Sequence, residues 1–333
     1  MRLLLHDLLL DFSSEDSRIH EGWEALFDLE IKAAAGRPDS DSPDIWLAAA
    51  LMSELPRPPA ARPSYSEPSS ADQQRTLHYY ESGTGGFLNL ARPAQITFNF
   101  DDSQAQITLT RPVLDAGNLE DLTLIALAPF LRRRGFYMLH AFAAARETAV
   151  LLCGPPGSGK TTIGLALVNK GWRYLANDAA LLSNAALRKE DKNGVCAYPS
   201  PGAINLHPHT LAMFPDFEER TVQLSKTTTG GKQIIARGSL LQEEEIGKKS
   251  APVSTILFPS LTNQPEYSLH EVNPAIGLAR LIEENVDQWD RDTYEAHIDL
   301  LARLSHQAGF YDLHFPRDRS PLDGLADDLP TLL

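Results

Sequence analysis

The most specific chemical pattern in the sequence is the stretch GPPGSGKT, which runs from Gly154 to Thr161. Gly154, Gly159, Lys160 and Thr161 fill every fixed position of GxxxxGK[ST], a pattern that cradles nucleotide phosphates. Gly157 and Gly159 let backbone N–H groups turn toward an anion without a Cβ in the way. A helix that begins at Lys160 would also point its positive dipole end at that anion.

The side chains of this loop suit a nucleoside triphosphate bound with magnesium. Lys160 supplies a mobile positive charge for the β- and γ-phosphates, and the Thr161 hydroxyl can ligate Mg²⁺. A chance match arises in on the order of one per cent of chains this long, and a strand before the loop and a helix after it reduce that chance further. The sequence predicts that ATP and Mg²⁺ bind at Gly154, Pro155, Pro156, Gly157, Ser158, Gly159, Lys160, Thr161 and Thr162.

The elements around the loop alternate between strands and helices. Apolar runs at Phe136–Ala145 and Thr148–Cys153 predict buried strands. A helix is predicted from Lys160 to Lys170, with Gly171 as its cap. Further predicted elements are strands at Trp172–Ala176, Pro252–Phe258 and Phe310–Phe315, a helix that begins at Asn273-Pro274, and a long helix at Arg291–Ala308.

The first 117 residues have a different pattern. Two helices are predicted, at Glu15–Ala35 and Asp44–Leu55. The segment Leu55–Gln74 contains five prolines and several serines, which predicts a linker or a long surface loop. Alternating apolar residues at Ile96–Phe100 and Ala105–Leu109 predict a β-hairpin with one buried face.

A helix is predicted over Asn118–Arg134, with a kink or an early end at Pro129. The basic run Arg132–Arg134 is interpreted as the solvated end of this helix. We therefore predict an α+β N-terminal region at residues 1–117, followed by an α/β domain at residues 118–333 that holds the phosphate loop.

The stretch GPPGSGKTTIGLALVNKGWRYLANDAALL, Gly154 to Leu182, resembles the catalytic domain of the HPr kinase/phosphorylase family, and most of all its HPr-kinase-related members. The shared pattern is a phosphate loop, a short helix that ends in glycine, a strand and an acidic pair. His140 matches a histidine that the family carries ahead of its loop. The segments YPSPGAINLHP (Tyr198–Pro208) and VSTILFPS (Val253–Ser260) are also similar, so the resemblance covers about Phe136 to Phe315.

The resemblance implies a P-loop kinase-like α/β domain of the HPr kinase C-terminal type. It also implies a serine kinase, which moves the γ-phosphoryl group of ATP to a hydroxyl on a protein or peptide. The family's acidic pair has two carboxylates: the first is the base on the acceptor hydroxyl, and the second assists with the metal. Asn177 and Asp178 stand at these positions. An amide can orient a hydroxyl but cannot accept its proton, so Asp178 is the candidate for both roles.

His140 and Lys232 are the other candidate catalytic residues that the resemblance implies. For each candidate a structural interpretation is also open: Asp178 as a solvated residue after a strand, His140 as a core histidine, and Lys232 as a surface-loop lysine. His207 and His209 flank Pro208. Two histidines two residues apart could ligate a metal, but no third ligand is evident, so a turn or helix start is favoured.

Composition limits the partners. The chain carries 44 acidic and 30 basic residues, a net charge of −14, which opposes nucleic-acid binding because nucleic-acid binders need a basic surface. Two cysteines suit a reducing cytoplasm. The start Met1–Phe12 does not read as a signal peptide, and no stretch reaches the ~18 apolar residues of a membrane span. We expect a cytoplasmic protein without a membrane partner, and a homo-oligomer is compatible with the sequence.

The favoured interpretation is an ATP-dependent kinase acting on a protein or peptide, with the N-terminal region helping to recognise that partner. Three alternatives stay open. They are an NTPase, a nucleotide-sensing module with weak or no catalysis, and a kinase for a small metabolite. Asn177 in place of a carboxylate favours the sensor directly.

Overall fold

The computed structural model describes residues 1–35, 38, 41–68, 76–90, 93–188, 194–221, 226–227, 231–316 and 324–329. The fold is mixed α/β with several sheets. The chain divides into two compact units. The first comprises Met1–Arg133, Thr227–Gly231 and Gln288–Arg291, and the second comprises Arg134–Lys226, Lys232–Asp287 and Asp292–Leu333.

The first unit contains one mixed sheet of eight strands together with four helices among the described residues. In chain order its elements are β1 (Arg2–Leu5), β2 (Leu8–Ser14), α1 (Ser17–Leu26), α2 (Asp28–Ala34), β3 (Ile45–Met52), β4 (Tyr65–Pro68), β5 (Thr76–Ser82), β6 (Gly85–Asn89), β7 (Ala94–Asn99), β8 (Gln104–Thr110), α3 (Arg111–Asp115) and α4 (Leu119–Arg133). The strand order is β1-β2-β3-β8-β7-β6-β5-β4.

The predicted β-hairpin is confirmed as the antiparallel pair β7 and β8. Ile96 lies opposite Ile107, and both are fully buried. Side chains alternate between the two faces of a strand, so the polar neighbours of these two residues point to the other face. Thr97 and Gln106 are accordingly exposed.

The predicted helix at Asp44–Leu55 is wrong, because this segment forms strand β3. β3 lies between β2 and β8 and is parallel to both. Ile45 and Leu47 are buried, whereas Trp46 is exposed, so the segment has the two-residue period of a strand. Its alanines fit either structure, and pairing on both sides decides for the sheet.

The remaining N-terminal predictions hold only in part. The predicted helix Glu15–Ala35 is two helices, α1 and α2, which meet at Phe27. Most of the proline-rich segment has no regular structure, but Tyr65–Pro68 forms β4 at the edge of the sheet, where proline is tolerated. Residues 69–74 of that segment lie outside the described residues.

Helix α4 continues past Pro129 to Arg133, so the predicted early end is wrong. The interpretation of the basic run as solvated is also wrong for Arg132, which is buried. Its guanidinium donates to Asp290 from Nε at 3.1 Å and from Nη2 at 2.8 Å. A buried arginine needs such a partner, because removing one member of a buried ion pair is strongly destabilising.

The second unit holds the other helices and nearly all of the other strands. In chain order the remaining elements are β9 (Tyr137–Leu139), β10 (Ala141–Ala145), β11 (Ala149–Cys153), α5 (Lys160–Asn169), β12 (Arg173–Ala176), β13 (Ala180–Asn184), a 3₁₀ turn (Ala185–Arg188), β14 (Val195–Tyr198), β15 (Ile204–Leu206), α6 (Pro208–Ala212), α7 (Pro215–Thr221), β16 (Lys226–Thr227), β17 (Gln233–Ile235), α8 (Arg237–Leu240), β18 (Ala251–Leu261), β19 (Ser268–Glu271), α9 (Pro274–Asn285), α10 (Arg291–Gln307) and β20 (Gly309–Phe315).

The predicted single strand Phe136–Ala145 is two strands that pair with different neighbours. β9 pairs with β13, whereas β10 pairs with β11 and β12. His140 lies between them, and its backbone N–H donates to the Asn285 side-chain oxygen at 2.6 Å instead of to a strand. The predicted strands and helices from Thr148 to Ala176 and from Pro252 to Phe315 are confirmed within a few residues at their ends.

The second unit has a nine-stranded sheet with the order β12-β10-β11-β18-β14-β13-β9, in which β20 also pairs with β18 and β19. The directions of its strands bring distant residues to one edge. β18 and β20 run parallel to β11. β12 has the same direction, because β11 and β12 are both antiparallel to the strand between them, β10. The carboxyl ends of β11, β12, β18 and β20 and the amino end of β10 therefore share one edge. Ligands bind at this edge in open α/β sheets.

Candidate functional site

The predicted phosphate loop follows β11 and leads directly into α5. Gly154, Gly157 and Gly159 have φ angles of 143°, 83° and 97°, which non-glycine residues rarely adopt. At Gly159 there is a second requirement, because a Cβ would lie 2.3 Å from the Phe315 ring. The backbone and the packing therefore both need glycine at this position.

Lys160 is the cation of the loop, and its side chain is only 5% exposed. The ammonium donates to the carbonyl oxygens of Gly154 at 2.5 Å and Pro155 at 3.3 Å. Burial lowers the pKa of Lys160, and the negative charge of Asp178 opposes that effect. Lys160 is thus a poorly hydrated cation held at the loop, and an anionic ligand would stabilise its charged form.

His140 lies between Lys160 and Asp178, and its contacts define its tautomer. Nδ1 is 3.2 Å from the backbone oxygen of Asp178, and Nε2 is 3.1 Å from the Lys160 ammonium nitrogen. Because a carbonyl oxygen only accepts, Nδ1 carries the proton and donates it. The Nε2 of the neutral ring then accepts from Lys160. His140 is half-buried, and this arrangement holds the lysine and the backbone of Asp178 together.

A chain of hydrogen bonds links the start of α5 to the end of β12. The Thr161 hydroxyl donates to the Asn177 side-chain oxygen at 2.9 Å. The Asn177 amide nitrogen donates to Asp178 Oδ2 at 3.0 Å. The reverse orientation of the amide would place two acceptor oxygens against each other. Asn177 is 2% exposed, so it orients Thr161 and Asp178 from within the protein.

Asp178 has a φ angle of 60°, in the left-handed region that aspartate and asparagine enter more easily than most residues. This conformation follows the buried strand β12. The side chain of Asp178 is half-buried and lines a pocket. Of the two residues at the predicted acidic pair, Asp178 is therefore the one that a ligand in the pocket can reach.

Thr161 and Asp178 suit a magnesium ion that is bound together with phosphate. The Thr161 hydroxyl gives its proton to Asn177 and keeps oxygen lone pairs for a metal. Mg²⁺ is commonly held by one or two protein oxygens plus phosphate oxygens and waters, not by a full protein cage. The described residues contain no group of three or more His, Cys, Asp or Glu residues able to hold a metal.

These residues surround a pocket of about 270 Å³. Most of the predicted site residues line it, namely His140, Pro156, Gly157, Gly159, Lys160, Thr161, Thr162, Asp178 and Lys232. Of the other predicted site residues, Gly154 and Pro155 contact Lys160 through their carbonyls, and Asn177 lies behind Thr161 and Asp178. The Ser158 hydroxyl is buried and has no hydrogen-bond partner in the described part of the chain.

The pocket also contains residues that the sequence did not predict. They come mainly from β15, α6 and the ends of β18 and β20, and are Asn205, Leu206, His207, His209, Thr210, Met213, Leu261 and Phe315. His207 does precede helix α6, as the favoured interpretation predicted. Its position in the pocket depends on long-range pairing of β15 with β17, which leaves no local signal.

No protein-family model and no curated protein match the chain. Among solved structures, the HPr(Ser) kinase/phosphatase from Coxiella burnetii is similar, with a TM-score of 0.28 and 14% sequence identity. That alignment covers 59% of this chain and 97% of the other. Within the described ranges, no helix has both the length and the apolar character needed to cross a bilayer.

Proposed function

We propose that this protein is an ATP-dependent kinase that transfers the γ-phosphoryl group to a hydroxyl, most simply a serine, of a protein or peptide. The observation that carries the proposal is the convergence of Lys160, Thr161 and Asp178 in one pocket at the end of β11. A cation for phosphate, a hydroxyl for magnesium and a reachable carboxylate are the groups that phosphoryl transfer uses.

In this proposal the loop amides and Lys160 hold the β- and γ-phosphates. Thr161 and Asp178 would hold a magnesium ion, which would supply positive charge to neutralise the phosphates. The acceptor oxygen forms a bond to the γ-phosphorus while the bond from that phosphorus to the ADP oxygen breaks. The proton of the acceptor hydroxyl passes to Asp178. Asn177 and His140 are positioning residues, because each contacts Asp178 and one residue of the loop.

One observation favours a second candidate, a nucleotide sensor without turnover. The position that holds a carboxylate in the resembling family is the buried amide Asn177. An amide cannot take the acceptor proton, and base catalysis contributes roughly 10²–10⁴-fold. By contrast, hydrolysis would be aided by a Gln or Glu that positions water, and neither type lines the described part of the pocket.

Transfer from γ-labelled ATP in a cell extract separates these functions. A kinase labels a protein or peptide, an NTPase releases labelled phosphate, and a sensor binds ATP but does neither. Lys160→Ala should abolish labelling and ATP binding, because it removes the phosphate-facing cation. Lys170→Ala is the matched control, since Lys170 follows the same helix and pairs with Asp327 outside the pocket. Unchanged ATP affinity in Lys160→Ala would refute the site.

A further inference from the structure

Three basic side chains, His207, His209 and Lys232, line the pocket on elements other than the phosphate loop. We call them the His–Lys cluster. Leu206 of β15 pairs with Gln233 of β17 in an antiparallel register. The next residues outward are His207 and Lys232, so the end of this strand pair brings them together.

The two histidines of the cluster are arranged side by side. Their ring centroids are 5.2 Å apart and the ring planes differ by 18°. The pKa of His207 is lowered, first by desolvation and then by the positive charges of Lys232 and His209. The positive charges of Lys232 and His209 therefore lie close enough to disfavour the charged form of His207, and a bound anion would favour that form.

The cluster also gives the pocket a charge that the chain as a whole does not have. The net charge of the protein is −14. Yet the described residues that line the pocket include two lysines and three histidines against one carboxylate, Asp178, so the lysines alone outnumber the carboxylate. Such a local reversal of sign attracts anionic ligands and steers their approach.

The nucleotide accounts for only part of this charge. Lys160, the loop amides and a magnesium ion already meet the phosphates of ATP. The His–Lys cluster lies instead at the start of α6 and on the residue before β17. The Thr210 and Thr162 hydroxyls, 3.3 Å apart, hold α6 against the first turn of α5. This contact fixes the histidines beside the phosphate loop, in the part of the pocket where an acceptor could bind.

We propose that the His–Lys cluster binds a carboxylate next to the acceptor hydroxyl, so that the preferred acceptor is a peptide serine flanked by aspartate or glutamate. This inference rests on the proposed kinase function, which it narrows to one class of acceptor. Histidine N–H groups and the lysine ammonium are donors for a carboxylate, and such charge-assisted hydrogen bonds are stronger than neutral ones.

Binding of peptide libraries tests this directly. Each library has one fixed serine flanked by Glu, Gln or Lys, and binding is measured with a non-hydrolysable ATP analogue and magnesium present. We expect the Glu-flanked library to bind about five-fold more tightly than the Gln-flanked one, as partly exposed ion pairs allow. The Lys-flanked library should bind most weakly.

Variants of the cluster assign the preference to its residues. The double variant His207→Asn and His209→Asn should lose most of the preference for the Glu-flanked library. The control is His306→Asn, at an exposed histidine near the end of α10, which should keep that preference. His207→Glu should shift the preference toward the Lys-flanked library. This gain of binding cannot come from misfolding. Equal binding of all three libraries by the wild type, or binding of none, would overturn the inference.

Transfer from γ-labelled ATP to the same libraries separates the two proposals. Preference for acidic flanks in binding, without label transfer to any protein or peptide, would refute the kinase and retain the anion-binding cluster. Transfer at equal rates to all three libraries would retain the kinase and refute the role of the cluster. Transfer concentrated in the Glu-flanked library supports both.

Discussion

The Thr161 hydroxyl donates a hydrogen bond to the side-chain oxygen of Asn177 at 2.9 Å. This contact joins the first turn of α5 to the residue after β12, and it uses the only proton of the hydroxyl. The lone pairs of Thr161 Oγ1 are thereby left for a metal ion. Asn177 can serve this purpose as well as a carboxylate could, because accepting a hydrogen bond needs only an oxygen.

Thr161→Ala should weaken ATP binding mainly when magnesium is present, because it removes the proposed metal ligand while the loop amides and Lys160 remain. The expected loss is roughly 10–100-fold with magnesium, and much smaller in EDTA. Thr161→Ser retains the hydroxyl and should behave like the wild type. Calorimetric titration in the two conditions gives the comparison. Equal losses with and without magnesium would mean that the hydroxyl is purely structural.

Asn177→Asp should make the stability of the protein depend on magnesium. The amide nitrogen that donates to Asp178 Oδ2 at 3.0 Å would become an oxygen, so two carboxylates would meet in a buried place. Such repulsion is on the order of 2 kcal/mol. The melting temperature should fall in EDTA and recover with magnesium and ATP. Asn263→Asp, in an exposed loop, is the control. Equal melting temperatures of Asn177→Asp and the control in EDTA would contradict this account.

Two parts of the site could be predicted from the sequence because their signals are local. The loop residues and the helix at Lys160 follow from one continuous motif, and the family resemblance of the continuous stretch Gly154 to Leu182 implies Asp178. The role of Asn177 could not be predicted in the same way, because its burial depends on how β12 pairs with β10. His207 likewise depends on the register between β15 and β17.

The fold of the first unit shows the same difference between local sequence signals and long-range strand pairing. The hairpin of β7 and β8 is adjacent in sequence and alternates clearly, so the pattern alone predicts it. The sequence predicts a helix where β3 forms, because Ala48, Ala49 and Ala50 favour a helix locally. Parallel pairing with β2 and β8, segments far away in the chain, overrides that preference.

Binding of ATP should be coupled to proton uptake at alkaline pH. Burial lowers the pKa of Lys160 below 10.5 in the free protein, and bound phosphate favours the charged form. ATP should therefore raise this pKa, and its affinity should fall as the pH rises through the free-protein value. Calorimetric titration in two buffers with different ionisation enthalpies measures the number of protons taken up on ATP binding. Lys160→Arg stays charged, so this variant should take up fewer protons when it binds ATP. Equal proton uptake by the variant and the wild type would exclude Lys160 as the group that takes up the proton.

Gly159→Ala should destabilise the protein more than Gly171→Ala. Both glycines have left-handed φ angles, 97° and 82°, but only at Gly159 would a Cβ meet another group, the Phe315 ring at 2.3 Å. Strain alone costs about 1–2 kcal/mol, so Gly171→Ala measures that part. Urea unfolding should show a further loss for Gly159→Ala, partly restored by adding Phe315→Leu. Equal losses at the two positions would exclude the clash.

The most direct test of the proposed chemistry is Asp178→Asn. Asparagine adopts the left-handed backbone as readily as aspartate, so the substitution removes the charge without changing the φ preference at 60°. If Asp178 accepts the proton of the acceptor, single-turnover transfer from labelled ATP should fall by about 10²–10⁴-fold. ATP affinity in EDTA should change little, because Lys160 and the loop remain. Transfer at the wild-type rate in Asp178→Asn would show that the reaction needs Asp178 neither as the proton acceptor nor as a metal ligand.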